Sequence, residues 1–244
     1  MTNIEDGSRM TISRIIGALF LGGFLSYGIG SVLANSVASG TDFLSKVPGA
    51  QTTLILGAFL ILLNTGVDVG KAVLLFPILE NHGKRTALGY LATMIVEVCL
   101  LAIGALAILM IVPLGEHAAE PWANGVASLL VQTNLMAYNI AEASLGFGAI
   151  FLCALFFRTR LVPRWLAVSG LIGYPVLMAG MIAEIFGIHI GVQATIPGIV
   201  FELGLPIYLF IKGFNPEVYG GRAASRREAT GIVQPAVHPV PAAL

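Results

Sequence analysis

The chain reads as an all-α integral membrane protein, a single bundle of six transmembrane helices with both termini on the cytoplasmic side. Three observations lead there. Of its 244 residues, 57% are hydrophobic and 11% are charged, against about 25% charged in an ordinary soluble domain. The apolar residues gather in stretches of spanning length, and the basic residues alternate from one side of those stretches to the other. So few charges cannot clothe a globular surface, whereas lipid solvates an apolar exterior.

A helix crossing a hydrocarbon core of ~30 Å needs ~20 residues. The first stretch, Ile12–Val37, follows a short N-terminal segment, residues 1–11. It carries small residues at every fourth position: Ala18, Gly22, Ser26, Gly30 and Ala34. Such a ridge lets another helix, of this chain or of a second copy, approach closely. A cleaved signal peptide is the rival reading. Its apolar core usually runs only ~7–15 residues. The second and third stretches are Thr53–Leu79 and Thr86–Leu114. The fourth is Val126–Phe157, with a start nearer Leu135 as an alternative because Gln132, Thr133 and Asn134 interrupt it. The fifth is Leu161–Phe186 and the sixth Ala194–Ile211, with Pro175 and Pro206 inside them. The transmembrane domain thus covers residues 12–213. The tail, residues 214–244, is rich in Pro, Ala and Arg, shows no apolar period, and is expected to lack fixed structure on the cytoplasmic side.

Orientation follows from the basic residues. Arg9 and Arg14 precede the first stretch. Lys84 and Arg85 follow the second, Arg158, Arg160 and Arg164 follow the fourth, and Lys212, Arg222, Arg226 and Arg227 follow the sixth. The opposite side holds only Lys46, and Lys71 lies within a stretch. The positive-inside rule therefore puts both ends in the cytoplasm of an inner membrane. Trp165, Tyr90 and Trp122 fall near stretch ends, where amphipathic rings anchor at the interface. The formal net charge of zero points away from nucleic acid. The expected partners are the lipid bilayer and either a second copy or another membrane protein. The two cysteines, Cys99 and Cys153, lie in apolar stretches and are expected to be small packing residues rather than a disulfide pair.

Ionisable groups inside a membrane are rare and usually functional. Six occur here: Asp68, Lys71, Glu97, Glu142, Glu184 and Glu202. At a rise of ~1.5 Å per residue, Lys71, Glu97 and Glu202 lie ~15–20 Å from the cytoplasmic side, with Asp68 one turn farther and Glu142 at ~24 Å. Glu184, at ~30 Å, belongs near the outer interface. The other five converge on the bundle interior, with Asn64 and Asn139 one turn from Asp68 and Glu142. Four acids cannot all stay ionised against one ammonium, so at least one is expected to hold its proton at neutral pH. By depth, Lys71 should pair with Glu97 or Glu202 of another span. Asp68, three residues away on the same face, is the local competitor. Pro206 removes the helical donor from the carbonyl of Glu202, as Pro175 does for Leu171. Broken helices of this kind build transporter sites, while a tolerated kink is the plainer account.

No histidine lies deep in a stretch, so a haem held between intramembrane histidines is not expected. Glu116, His117 and Glu120 with His189 could meet an external metal, although solvated loop residues explain them as well. The chain has no G-x-S-x-G, H-E-x-x-H or P-loop, and no cofactor or catalytic residue is assigned.

Four groups of motifs occur in order: Arg14-Ile-Ile-Gly17; Leu75-Phe-Pro-Ile-Leu79 with Ala87-Leu-Gly-Tyr90; Leu161-Val-Pro-Arg-Trp-Leu166 with Gly170-Leu-Ile-Gly173; and Ile196-Pro-Gly198 through Phe201-Glu202 to Lys212-Gly-Phe-Asn215. Together they resemble the bacterial six-span membrane family known as domain of unknown function 4386, over about residues 12–215. The resemblance implies an all-helical membrane fold and a retained first span. It carries no activity and assigns no role, although Glu202 falls within a matching motif. Three functions follow as expectations. The first is a non-catalytic scaffold, sensor or partner subunit. The alternative is a small proton-linked carrier using the charged cluster. An intramembrane enzyme comes last, for want of a nucleophile and base at one depth.

Overall fold

The computed structural model describes residues 2–220, and every regular element among them is a helix. The long helices are α1 (Thr2–Ala38), α2 (Val47–Leu114), α3 (Pro121–Thr159), α4 (Arg164–Ile185) and α5 (Gly191–Ile211). A single turn, α6 (Pro216–Tyr219), follows, and short 3-10 turns occupy Leu44–Lys46 and Gly115–His117. Five helical segments are long and apolar enough to cross a membrane.

The second of these segments has two arms. Gly83 leaves helical geometry at φ −178° and ψ 91°, an extended conformation open to any residue. A straight 68-residue helix would hold its ends ~100 Å apart. Instead a Cβ built on Gly115, just beyond the end of α2, would stand 2.8 Å from Val47 Cγ1 at its start. Helix α2 is therefore a hairpin with a first arm, 47–82, and a second arm, 84–114. These arms match the second and third apolar stretches.

Each helix packs on the next, and α5 closes the ring against α1. Small residues set the approaches. A Cβ on Gly57 would meet Ala34 N at 2.7 Å, and one on Gly30 would meet Gly57 O at 2.8 Å. The spaced ladder of α1 thus serves the first arm of α2. Ser26, Gly30 and Ala34 are buried there, while Ala18 faces outward. At that end Gly17 takes over, against Pro206 and Leu209 of α5. Gly173 meets Gly198 in the same manner between α4 and α5. The outward faces keep large apolar side chains: Val32, Leu129 and Val192 are 68%, 66% and 78% exposed, the inside-out distribution that lipid favours.

Several expectations change. Helix α3 runs without a break through Gln132, Thr133 and Asn134. The Thr133 hydroxyl donates back to Leu129 O at 2.9 Å, and Asn134 packs against Gly104 of α2. Polar groups placed in this way do not end a helix. Tyr90 is no interface anchor: it is 2% exposed and belongs to the core, whereas Trp122 and Trp165 do lie outward. Cys153 is buried as a packing residue should be, but Cys99 is exposed, and both are free thiols. Helices α4 and α5 stay continuous through Pro175 and Pro206. The fold also runs past residue 213. Phe214 is fully buried, tilted against Phe156 and stacked on Tyr219, because the chain turns back at Gly213 (φ 66°). The tail from 221 onward lies outside the described residues.

One end of the bundle is tied together by its basic residues. Arg9 is buried and donates through Nη1 to the carbonyl of Phe214. The Phe214 amide in turn donates to Ser13 Oγ at 3.1 Å. Arg14 Nε reaches Phe210 O at 3.3 Å, so two arginines of α1 serve carbonyls left free where α5 ends. His82 Nε2 lies 2.7 Å from Val218 O, bringing the bend of α2 to the same end.

Candidate functional site

Two apolar cores divide the bundle, and the polar residues lie between them. One core holds Ile16, Phe20, Ala72, Leu75, Met94 and Leu152, towards the basic end. The other holds Ala34, Leu54, Ala58, Ile108, Ile111 and Ala127. On the first arm of α2 the gap contains Asn64, Asp68 and Lys71; on the second arm it contains Glu97; on α3, Asn139 and Glu142. Glu202 enters from α5 beside the first core. The structure thus brings together the residues singled out from sequence. Glu97 lies near enough to Asp68, Lys71, Glu142 and Glu202 to interact with each electrostatically.

Within the layer the pairing differs from the expectation for Lys71. Its Nζ lies 2.6 Å from Asp68 Oδ1, on its own helix, and not against Glu97 or Glu202. Residues three apart share a helical face, so this pair needs no other span to form. Asn64 Nδ2, one turn earlier, donates to Asp68 Oδ2 at 2.8 Å. Both carboxylate oxygens are therefore taken. The ammonium also lies 4.6 Å from the centre of the Phe20 ring of α1, a cation–π contact. Asn64, Asp68 and Lys71 are 5%, 3% and 7% exposed. Gly23 makes the space: a Cβ there would stand 3.0 Å from Asn64 Oδ1.

The remaining acids have no cation. Among the described residues, Glu97, Glu142 and Glu202 form no ion pair. Glu202 accepts a hydrogen bond from the Tyr174 hydroxyl of α4. Among the described residues, Glu97 Oε2 and Asn139 Nδ2 are buried with no hydrogen-bond partner. An unpaired buried polar atom of this kind costs about 1–3 kcal/mol. The rings of Tyr27 and Tyr138 stack at 5.1 Å between α1 and α3. Sequence reasoning passed over Tyr27, Tyr138, Tyr174 and Gly23. Tyrosines in apolar stretches resemble ordinary packing residues until a partner is found against them, Glu202 for Tyr174 and a second ring for Tyr27 and Tyr138.

The familiar motifs also find places. Leu161-Val-Pro-Arg-Trp-Leu166 forms the turn into α4, and Lys212-Gly-Phe-Asn215 the turn out of α5. Asn215 joins the two, its amide N donating to Leu161 O at 2.9 Å and its Nδ2 to Arg160 O at 3.2 Å. Arg14-Ile-Ile-Gly17 is set against the end of α5 through Arg14 and Gly17. The profile of the family described as Domain of unknown function (DUF4386) matches residues 15–213. The chain belongs to this family. No curated protein and no solved structure matches it. The DUF4386 match spans the whole polar layer, from Phe20 and Gly23 to Glu202.

Glu184, expected near the outer interface, sits in the last turn of α4. Its Oε1 accepts from Gly191 N at 2.8 Å and its Oε2 lies 3.0 Å from His189 Nδ1. It therefore caps the start of α5, a role a carboxylate suits. Among the described residues no group of His, Cys, Asp and Glu could hold a metal, so Glu116, His117, Glu120 and His189 do not come together.

Proposed function

We propose that this is a six-span inner-membrane protein with both termini cytoplasmic, acting as a non-catalytic scaffold, sensor or partner subunit. The two arms of α2, counted with α1, α3, α4 and α5, supply the six crossings. The clustering of Arg9, Arg14, Arg160, Arg164 and Lys212 at one end of the bundle supports that end as cytosolic. The scaffold reading is carried by one observation: Lys71 is neutralised by Asp68 on its own helix, with Asn64 on the other oxygen. The cation of the interior layer is thereby closed to a substrate. The unbroken course of α4 and α5 agrees, since no half-helix end points into the bundle. The buried polar contacts that cross between helices, Lys71 over the Phe20 ring and Tyr174 to Glu202, favour one set of helix neighbours.

A proton-linked carrier is the second reading. It draws on Glu97 Oε2 and Asn139 Nδ2, left without partners, and on three interior carboxyls without a cation. Proteoliposomes separate the two. The scaffold reading expects no proton or solute flux above empty vesicles, and a defined oligomer or membrane partner retained in mild detergent. A flux abolished by Glu97→Gln or Glu202→Gln would instead establish the carrier. Tag or protease accessibility that found the two ends on opposite faces would overturn the topology.

A further inference from the structure

The turns into α4 and out of α5 line an open recess of about 340 Å³ at the basic end of the bundle. Small-ligand sites run from about 300 to 1,000 Å³. Arg160, Arg164 and Lys212 line it together with Tyr208, Asn215 and Pro163, and among the described residues no carboxylate does. Among the described residues none of the three cations forms an ion pair. Three positive groups around one recess, without internal neutralisation, make a receptor for an anion.

The recess is built rather than incidental. Asn215 fixes both turns through its bonds to Leu161 and Arg160. Arg160 stands in the left-handed region at φ 60°, closing α3 and turning the chain towards the cavity. Arg164 is steadied over the Phe157 ring at 5.1 Å. Phe214, next to Asn215, is fully buried, and its carbonyl is held by Arg9. The surroundings suit a lipid. Trp165, Ile207 and Ile211 are 61%, 53% and 66% exposed on the same two helices, so a headgroup in the cavity would have apolar surface beside it for its acyl chains. Basic pockets between helices on the cytosolic side are the usual form of anionic-headgroup recognition.

We infer that this cavity binds a phosphate-bearing anion, with Arg160, Arg164 and Lys212 holding the phosphate and Tyr208 and Asn215 offering neutral hydrogen bonds. An anionic phospholipid and free inorganic phosphate share that chemistry. The inference does not depend on whether the interior cluster serves a scaffold or a carrier.

Trp165 is a built-in probe, and Trp122→Phe removes the only other tryptophan. The full chain in phosphatidylcholine nanodiscs receives either brominated phosphatidylglycerol or brominated phosphatidylcholine, and Trp165 quenching is titrated. Inorganic phosphate binding is measured separately by calorimetry. A lipid site predicts at least about tenfold preferential quenching by the anionic lipid, lost in Arg160→Gln/Lys212→Gln and kept in Arg158→Gln, a basic residue at the same end outside the cavity. A soluble-phosphate site predicts equal quenching by the two lipids but a calorimetric phosphate signal lost in the same double variant. If the double variant fails to fold, Lys212→Gln alone carries the comparison with Arg158→Gln. Absence of both signals, or equal loss in Arg158→Gln, overturns the site.

Discussion

On the first arm of α2, Asp68 takes Asn64 on one oxygen and Lys71 on the other; on the second arm, Glu97 Oε2 finds no donor, and on α3 Asn139 Nδ2 finds no acceptor. The two halves of the layer are equally buried, so burial alone does not explain the contrast. Spacing accounts for part of it. Asn64, Asp68 and Lys71 lie four and three residues apart on one helix, so their contacts form as soon as that helix does. Glu97 has no carboxylate, amide or ammonium three or four residues away on its own helix, whereas Asn139 has Glu142 three residues on and its Nδ2 still stays unbonded among the described residues. The closed half can enter lipid as a neutral unit. The open half keeps unspent hydrogen-bonding capacity in the assembled protein.

The sharpest way to break this contrast is Asp68→Ala. It strands the Lys71 ammonium in a dry interior and should cost about 3–5 kcal/mol, read as a lowered unfolding midpoint in detergent denaturation. Asp68→Leu with Lys71→Met should regain most of that loss, because an apolar pair of similar volume needs no counter-charge. Equal destabilisation by the single and double variants would refute the closed-unit account. Gly57→Leu follows, at about 1–3 kcal/mol by overpacking, because the backbone of α1 stands where the new side chain must go. Tyr174→Phe should cost about 1–3 kcal/mol by removing the donor to Glu202. Glu97→Gln should be the mildest, within about 1 kcal/mol of neutral, since no ion pair is lost and the amide can donate where the carboxylate could not. A large loss there, on the same denaturation assay, would mean that Glu97 is held as tightly as Asp68.

Sequence made much of this architecture legible. Stretch length located the helices, and polarity alone picked out the ionisable and amide side chains of the interior layer. Pairing was harder to read. Depth along the chain ranked Glu97 and Glu202 as partners for Lys71, but depth says nothing about which way a helix turns its face. Spacing within one helix decided the outcome. Gly23 and the tyrosines were hidden because small and aromatic residues look alike in any apolar stretch. Phe214 opens the Pro-, Ala- and Arg-rich tail, where no apolar period marks it; only the returning chain brings its ring between Phe156 of α3 and Tyr219 of α6.

The handshake of Arg9 and Ser13 with Phe214 has a consequence for biogenesis. Its two sides are separated by some two hundred residues of chain, so the seam at which the ring shuts cannot be sealed during synthesis of the earlier helices. Until Phe214 leaves the ribosome, the flank of α1 that will receive α5 stays open to lipid or to whatever assists insertion. Maturation of this protein should therefore end with a discrete, late closing step, set by the last helix meeting the first.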